Sequence, residues 1–169
     1  VVYFLEDDYI HKPNSSDAIL EGLSHFDYVT LLDSFYKYTD RDRDSKLKSY
    51  VKASRSCHWR SISTTNSTWG CKISTLKKDF LTHVSWLKIN PRQNDNNQEL
   101  KKILDSINTK NVEFEHPRRW EGEVHLWDSL LKNGRSLGQP IPSYSDHINE
   151  RLRKLHAPFA DWIKVLNDS

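Results

Sequence analysis

The chain has 169 residues, 36% hydrophobic and 28% charged, with 25 basic and 23 acidic side chains and a net charge of +2. That length carries one domain with a real core and hardly two, so residues 1–169 read as a single domain. So even a charge balance, without a nucleic-acid-binding motif, argues against a nucleic-acid partner, and no apolar run approaches the roughly 18–20 residues that span a bilayer.

The first element runs from Val1 to Leu5, five consecutive apolar or aromatic residues, which predicts a strand buried on both faces inside a parallel sheet. It stops in Glu6, Asp7 and Asp8. Ligands of open α/β sheets gather outside the carboxyl ends of the strands, so these acids stand at the rim of a candidate site. Adjacent carboxylates repel one another unless a cation or good donors compensate. Oxygen ligands of this kind suit Mg2+ or Mn2+ shared with substrate phosphates. The plainer alternative is an acidic strand end that faces water.

Ser15 or Ser16 and Asp17 supply helix-start chemistry, and Ile19, Leu20, Leu23 and Phe26 then share a helical face. Tyr28 to Leu32 is a second β-run ending in Asp33, which completes a βαβ unit, hence a parallel sheet, and sets Asp33 near the rim of Asp8. Residues 39–48 alternate in charge and read as a solvated loop. Short β-segments follow at Leu47 to Val51, Cys57 to Ile62 and Thr68 to Ile73. Alternation sends His58 and Arg60 to one face and Trp59 to the core, leaving Arg60 or His58 to meet an anionic substrate or simply water.

Ser74 caps a helix with Leu76, Phe80, Val84 and Leu87 in its apolar stripe, and Leu100, Ile103, Leu104 and Ile107 mark another. Thr109 to Gly122 is a polar-aromatic loop carrying Arg118, Arg119 and Trp120, a plausible binding element. Glu123 opens a helix with Val124, Trp127, Leu130 and Leu131 inward and Gly134 as its stop. The tail has a Pro-rich bend, the exposed-looking run Ser143 to His147, and a last helix around Asp161 to Leu166.

Cys57 and Cys71 are too few for a disulfide framework, so a reduced interior is expected. The opening apolar run is too short for a signal peptide and lacks a basic leader, which favours a cytoplasmic location. With no Met and an opening inside a strand, the chain reads as the later part of a longer product. Its 6 Trp, 7 Tyr and 6 Phe are generous for its length; aromatic-rich clefts hold sugars or bases, though most such rings are core.

Several dispersed blocks resemble one family. The string Tyr3-Phe4-Leu5-Glu6-Asp7-Asp8-Tyr9, then Leu20-Glu21-Gly22, Asp27-Tyr28-Val29-Thr30-Leu31, Cys57-His58-Trp59-Arg60 and Ser63-Thr64-Thr65-Asn66 are similar to small GT-A-type, family-2-like glycosyltransferases of microbes and viruses. So is the ending, Gly134-Arg135-Ser136-Leu137, Ile141-Pro142-Ser143-Tyr144-Ser145, His147, Ala157-Pro158-Phe159 and Asp161-Trp162. The resemblance spans nearly the whole chain, except about residues 88–121.

It implies an α/β, GT-A-like mixed sheet flanked by helices, N-terminally incomplete because the strands that build the nucleobase pocket are missing. It also implies a transferase moving a sugar from a nucleotide-sugar to a hydroxyl acceptor, with inversion, in which the acids are a DxD-like motif. By that analogy Asp8 binds Mn2+ or Mg2+, His147 completes the metal site with His156 as fallback, and Glu6 and Asp7 face the nucleotide ribose or metal-bound water. Glu123 is the matching base, with Glu121 as a neighbour and Trp127 in the usual aromatic position, and Arg60 and Arg119 are candidates for anion contact. The family commonly has Asp where Glu123 stands, and Tyr-Asp-His where this chain has Leu32-Asp33-Ser34. Alternatives are a non-catalytic carbohydrate-binding or assembly module on the same scaffold, and a metal-dependent hydrolase using the same acids.

Overall fold

The computed structural model describes residues 1–38, 48–65, 68–89 and 122–147. The expected helices at 100–107 and 161–166, nearly all of the 109–122 loop with Arg119 and Glu121, the charged loop at 39–47 and His156 lie outside these residues. Among the described residues the architecture is mixed α/β.

Six strands form one sheet: β1 (Val2–Phe4), β3 (Tyr28–Val29), β4 (Val51–Ala53), β5 (His58–Ile62), β6 (Trp69–Cys71) and β7 (Leu137–Ile141). Their order is β1-β6-β3-β7-β5-β4, and only β3 and β7 pair in parallel. The parallel sheet expected from the βαβ unit is therefore corrected to a mixed one. β1 and β3 do run the same way, as a crossover through a helix requires, but β6 is inserted between them antiparallel to both. β1 also lies at an edge of the described sheet instead of its interior, so Phe4 is 43% and Leu5 63% exposed. A second sheet of two short strands, β2 (Tyr9–His11) and β8 (Ser145–His147), has no counterpart in the sequence reading.

Helix α1 (Ser15–Gly22) covers one face of the large sheet. Its N-cap is Asn14 with φ 64 and no side-chain cap bond, while Ser15 Oγ turns back to the Lys12 carbonyl at 2.7 Å, so the expected serine cap does not form. Ala18, Ile19, Leu23 and Phe26 pack with Val29, Leu31, Cys57 and Trp59, whereas Leu20 points to solvent. Gly22 is needed there, because a Cβ would lie 2.5–2.8 Å from the Trp59 ring.

The other face holds α2 (Ile73–Lys78), α3 (Phe80–Ile89) and α4 (Gly122–Lys132). α2 starts from Lys72 as N-cap without a side-chain cap bond, two residues before the expected Ser74. In α4, Leu126, Trp127 and Leu130 join Tyr28, Ile62, Cys71 and Leu137 in the second core. Gly134, at φ 79, ends the helix as its sequence position suggested, with Arg135 N–H donating to the Leu130 carbonyl at 3.0 Å. Both cysteines are free and buried, one in each core.

β7 is the largest departure from the sequence reading. A Pro-rich bend is expected in the tail from Pro140, yet residues 137–141 form an interior strand between β3 and β5 with Pro140 fully buried. Gly138 accepts from Thr30 N–H on the β3 side, and Pro140 shares that orientation just where β3 has ended. No ladder bond is therefore demanded of its missing N–H.

Candidate functional site

The chain emerges from β1 through Glu6, Asp7 and Asp8 and re-enters order at once in β2, where Tyr9 pairs with His147 across the small sheet. That pairing brings the two expected metal ligands together. Asp8 Oδ2 and His147 Nε2 lie 2.8 Å apart, with the Asp8 side chain 51% and the His147 side chain 12% exposed. The imidazole is also held edge-on against the Tyr9 ring at 4.9 Å. The run Ser143 to His147 is thus mostly buried, not exposed as its composition suggested: Ser143 Oγ donates to the Leu31 carbonyl, and Ser145 and Asp146 are covered.

α4 runs with its N-terminus toward this corner, since its C-terminal end feeds the start of β7. Glu123 stands in its first turn. Glu123 is an exposed residue, yet partial desolvation of its carboxyl, and then the nearby charge of Glu6, hold its pKa above the ordinary carboxylate range. Glu6 is raised too, by burial first and then by Asp8, against the lowering influence of His147. Charge effects of this kind fade within several ångströms, so Glu6 stands near the Asp8–His147 pair and within reach of Glu123, and Asp7 sits in the chain between Glu6 and Asp8. Trp127, one turn after Glu123, donates its indole N–H to the Thr65 carbonyl and meets Tyr28 and Trp69 edge-on, which ties the start of α4 to the sheet.

No known family model, curated protein or solved structure matches the chain. The corner has to be judged by its own groups. Two ligands of one Mg2+ or Mn2+ ion, each about 2.1 Å from it and at right angles, stand about 3 Å apart, close to the Asp8–His147 separation. Among the described residues no group of three or more His, Cys, Asp or Glu side chains is arranged to hold a metal ion. Two protein ligands suit an ion whose remaining positions go to phosphate oxygens and water. A ring nitrogen that carries a proton cannot ligate, so metal and proton compete for Nε2.

Arg60 is not brought to this corner. It projects from β5, and β7, β3 and β6 lie between β5 and β1, roughly 19 Å at ordinary strand spacing. As alternation required, Trp59 is fully buried and His58 is exposed, but the Arg60 guanidinium lies over the Tyr38 ring at 4.2 Å. Arg60, a candidate for anion contact, thus stands apart from Glu6 and Asp7. Asp33 likewise does not stand on an open rim: it is fully buried, accepting from Tyr38 Oη on both oxygens at 2.8 and 2.9 Å and from Gln139 Nε2. Tyr38 and Gln139 are the partners of Asp33 that sequence reasoning missed. A Gln beside a Pro in a supposed bend carried no signal of an interior strand.

Among the described residues no helix is long and apolar enough to cross a membrane.

Proposed function

We propose that this chain is part of a GT-A-like, divalent-metal-dependent glycosyltransferase that moves a sugar from a nucleotide-sugar to a hydroxyl acceptor with inversion. The observation that carries the reading is the 2.8 Å approach of Asp8 to His147, from opposite ends of the described chain, beside Glu6, whose charge reaches Glu123. Asp8 raises the pKa of Glu6, and crowded carboxylates of this kind form a site that a cation relieves. In this reading Asp8 and His147 hold Mn2+ or Mg2+, which when bound offsets the charge that grows on the departing diphosphate.

Glu6 and Asp7 face the ribose or metal-bound water. Glu123 takes the proton of the acceptor hydroxyl as its oxygen attacks the anomeric carbon, while the bond from that carbon to the diphosphate oxygen breaks and the electron pair leaves with the diphosphate. A carboxylate with a raised pKa is a better base than an ordinary one, so the environment of Glu123 suits the task.

The test is Mn2+ binding followed by electron paramagnetic resonance and by thermal unfolding, with and without UDP, in the wild type, Asp8→Asn and His147→Ala. The reading requires Mn2+ binding that both substitutions weaken at least tenfold and that UDP strengthens in the wild type. Equal Mn2+ affinity in all three proteins would defeat it. Glycan binding that ignores both EDTA and Asp8→Asn would mark the chain instead as a non-catalytic carbohydrate-binding module.

A further inference from the structure

The register of three strands builds a floor that changes character along its length. Ile62 of β5 and Tyr28 of β3 both stand opposite Leu137 of β7, and this row is apolar and packed with α4. One step toward the carboxyl ends of β3 and β7, Arg60 stands opposite Gln139 on the same face. This row is polar and meets Asp33 and Tyr38, which follow β3.

Within that group every polar side chain but one has its direct partners. The Asp33 oxygens are taken by Tyr38 and Gln139. Arg60 rests its guanidinium face on Tyr38, but among the described residues its buried Nε and Nη2 make no hydrogen bond. These two nitrogens form the side-on fork that accepts two oxygens of one carboxylate or phosphate. Arg135 shows the fork in use elsewhere in the same molecule, with Nε and Nη2 clamping Asp79 at 2.8–3.0 Å. Keeping two charged donors without acceptors beneath the surface is costly, and an arginine present only for packing would turn that edge to Asp33.

We propose that the Nε–Nη2 edge of Arg60, beside Tyr38, is a subsite for an oxyanion carried by the acceptor, a uronate carboxylate or a sugar phosphate. Its assignment to the acceptor rests on the transferase reading, because the donor diphosphate belongs at the Asp8–His147 corner with three strands between; the binding itself does not. Tyr38 is 47% exposed and Arg60 only half-buried, so the two covered nitrogens lie beneath a surface ring that must shift before an oxyanion can reach them. The charge of Asp33 is turned inward onto Tyr38 and Gln139, which limits its repulsion of an incoming anion.

The test is side-chain 15N–1H spectroscopy of the Arg60 Nε–Hε group during titration with glucuronate, glucose 6-phosphate and neutral glucose at constant ionic strength. The expected result is a saturable shift of the Arg60 resonance with one or both anions and none with glucose, the tighter anion identifying the source. Calorimetry should show at least a tenfold loss of that affinity in Arg60→Lys, which keeps the charge and loses the fork. An Arg60 resonance that neither anion moves overturns the subsite, as does unchanged affinity in Arg60→Lys. Parallel Mn2+ titration separates the two ideas: metal binding without an anion response sinks only the subsite, and an anion response without metal binding sinks the transferase reading.

Discussion

Burial pushes the Asp33 carboxyl up to about 6, outweighing the lowering effects of its Tyr38 bond and of the Arg60 charge. The folded chain therefore holds this proton to higher pH than the unfolded chain, whose Asp titrates near 3.8. Its contribution to stability is greatest below pH 4 and is lost as pH rises through 6, about 2–3 kcal/mol across that window. Asp33→Asn removes the titration. Urea midpoints measured from pH 4 to 8 should show the variant gaining on the wild type as pH rises, and parallel curves would contradict the assignment. None of this was legible locally: an Asp after a β-run is ordinarily a turn residue, and the partner that buries this one, Gln139, is 106 residues away.

At the scale of elements, two contacts decide how the helices seat on the sheet. Gly22 brings α1 against Trp59, which is fully buried and has no room to withdraw. Gly22→Ala should cost roughly 1–3 kcal/mol through overpacking despite Ala's better helix propensity, read as a lower urea midpoint with an unchanged slope. On the opposite face, Asp79 accepts from Tyr28 at 2.8 Å and from the Arg135 fork, and Arg135 also reaches Asp27 at 3.8 Å. Its carboxyl is held below the usual range despite the opposing effect of burial, chiefly through its bonds to Arg135 and Tyr28. Arg135→Gln strands a buried carboxylate and should cost about 3 kcal/mol. Because Tyr28 begins β3 and the acidic corner lies beyond the strand ends, Mn2+ affinity should stay within about twofold of wild type in that variant. A larger loss would mean that the two ends of the sheet are coupled. Patterns within one element were legible in part: the inward Trp127 and Leu130 of α4, its Gly134 stop and the alternation at His58, Trp59 and Arg60 follow from period and turn chemistry, whereas Leu126 is buried in place of the expected Val124 and Leu131.

For the molecule as a whole, the transferase reading predicts a metal-linked stability. Mn2+ at a hundred times its dissociation constant should contribute about 2.7 kcal/mol, raising the unfolding temperature by roughly 5–10 °C for a chain of this size. EDTA should reverse the rise, and Asp8→Asn should abolish it. A shift of equal size in that variant would locate the metal elsewhere.

What the sequence determined by itself was local: which stretches alternate, which repeat every three or four residues, and that the first strand ends in three acids. Those properties follow from backbone period and neighbouring side chains, so a short window contains them. Only the tertiary structure decided that β6 enters between β1 and β3, that a Pro-bearing segment becomes an interior strand, and that β2 and β8 carry Asp8 to His147 while Arg60 stays with Tyr38. Strand neighbours are chosen by the sum of packing across the whole sheet, and no single stretch of chain holds that sum.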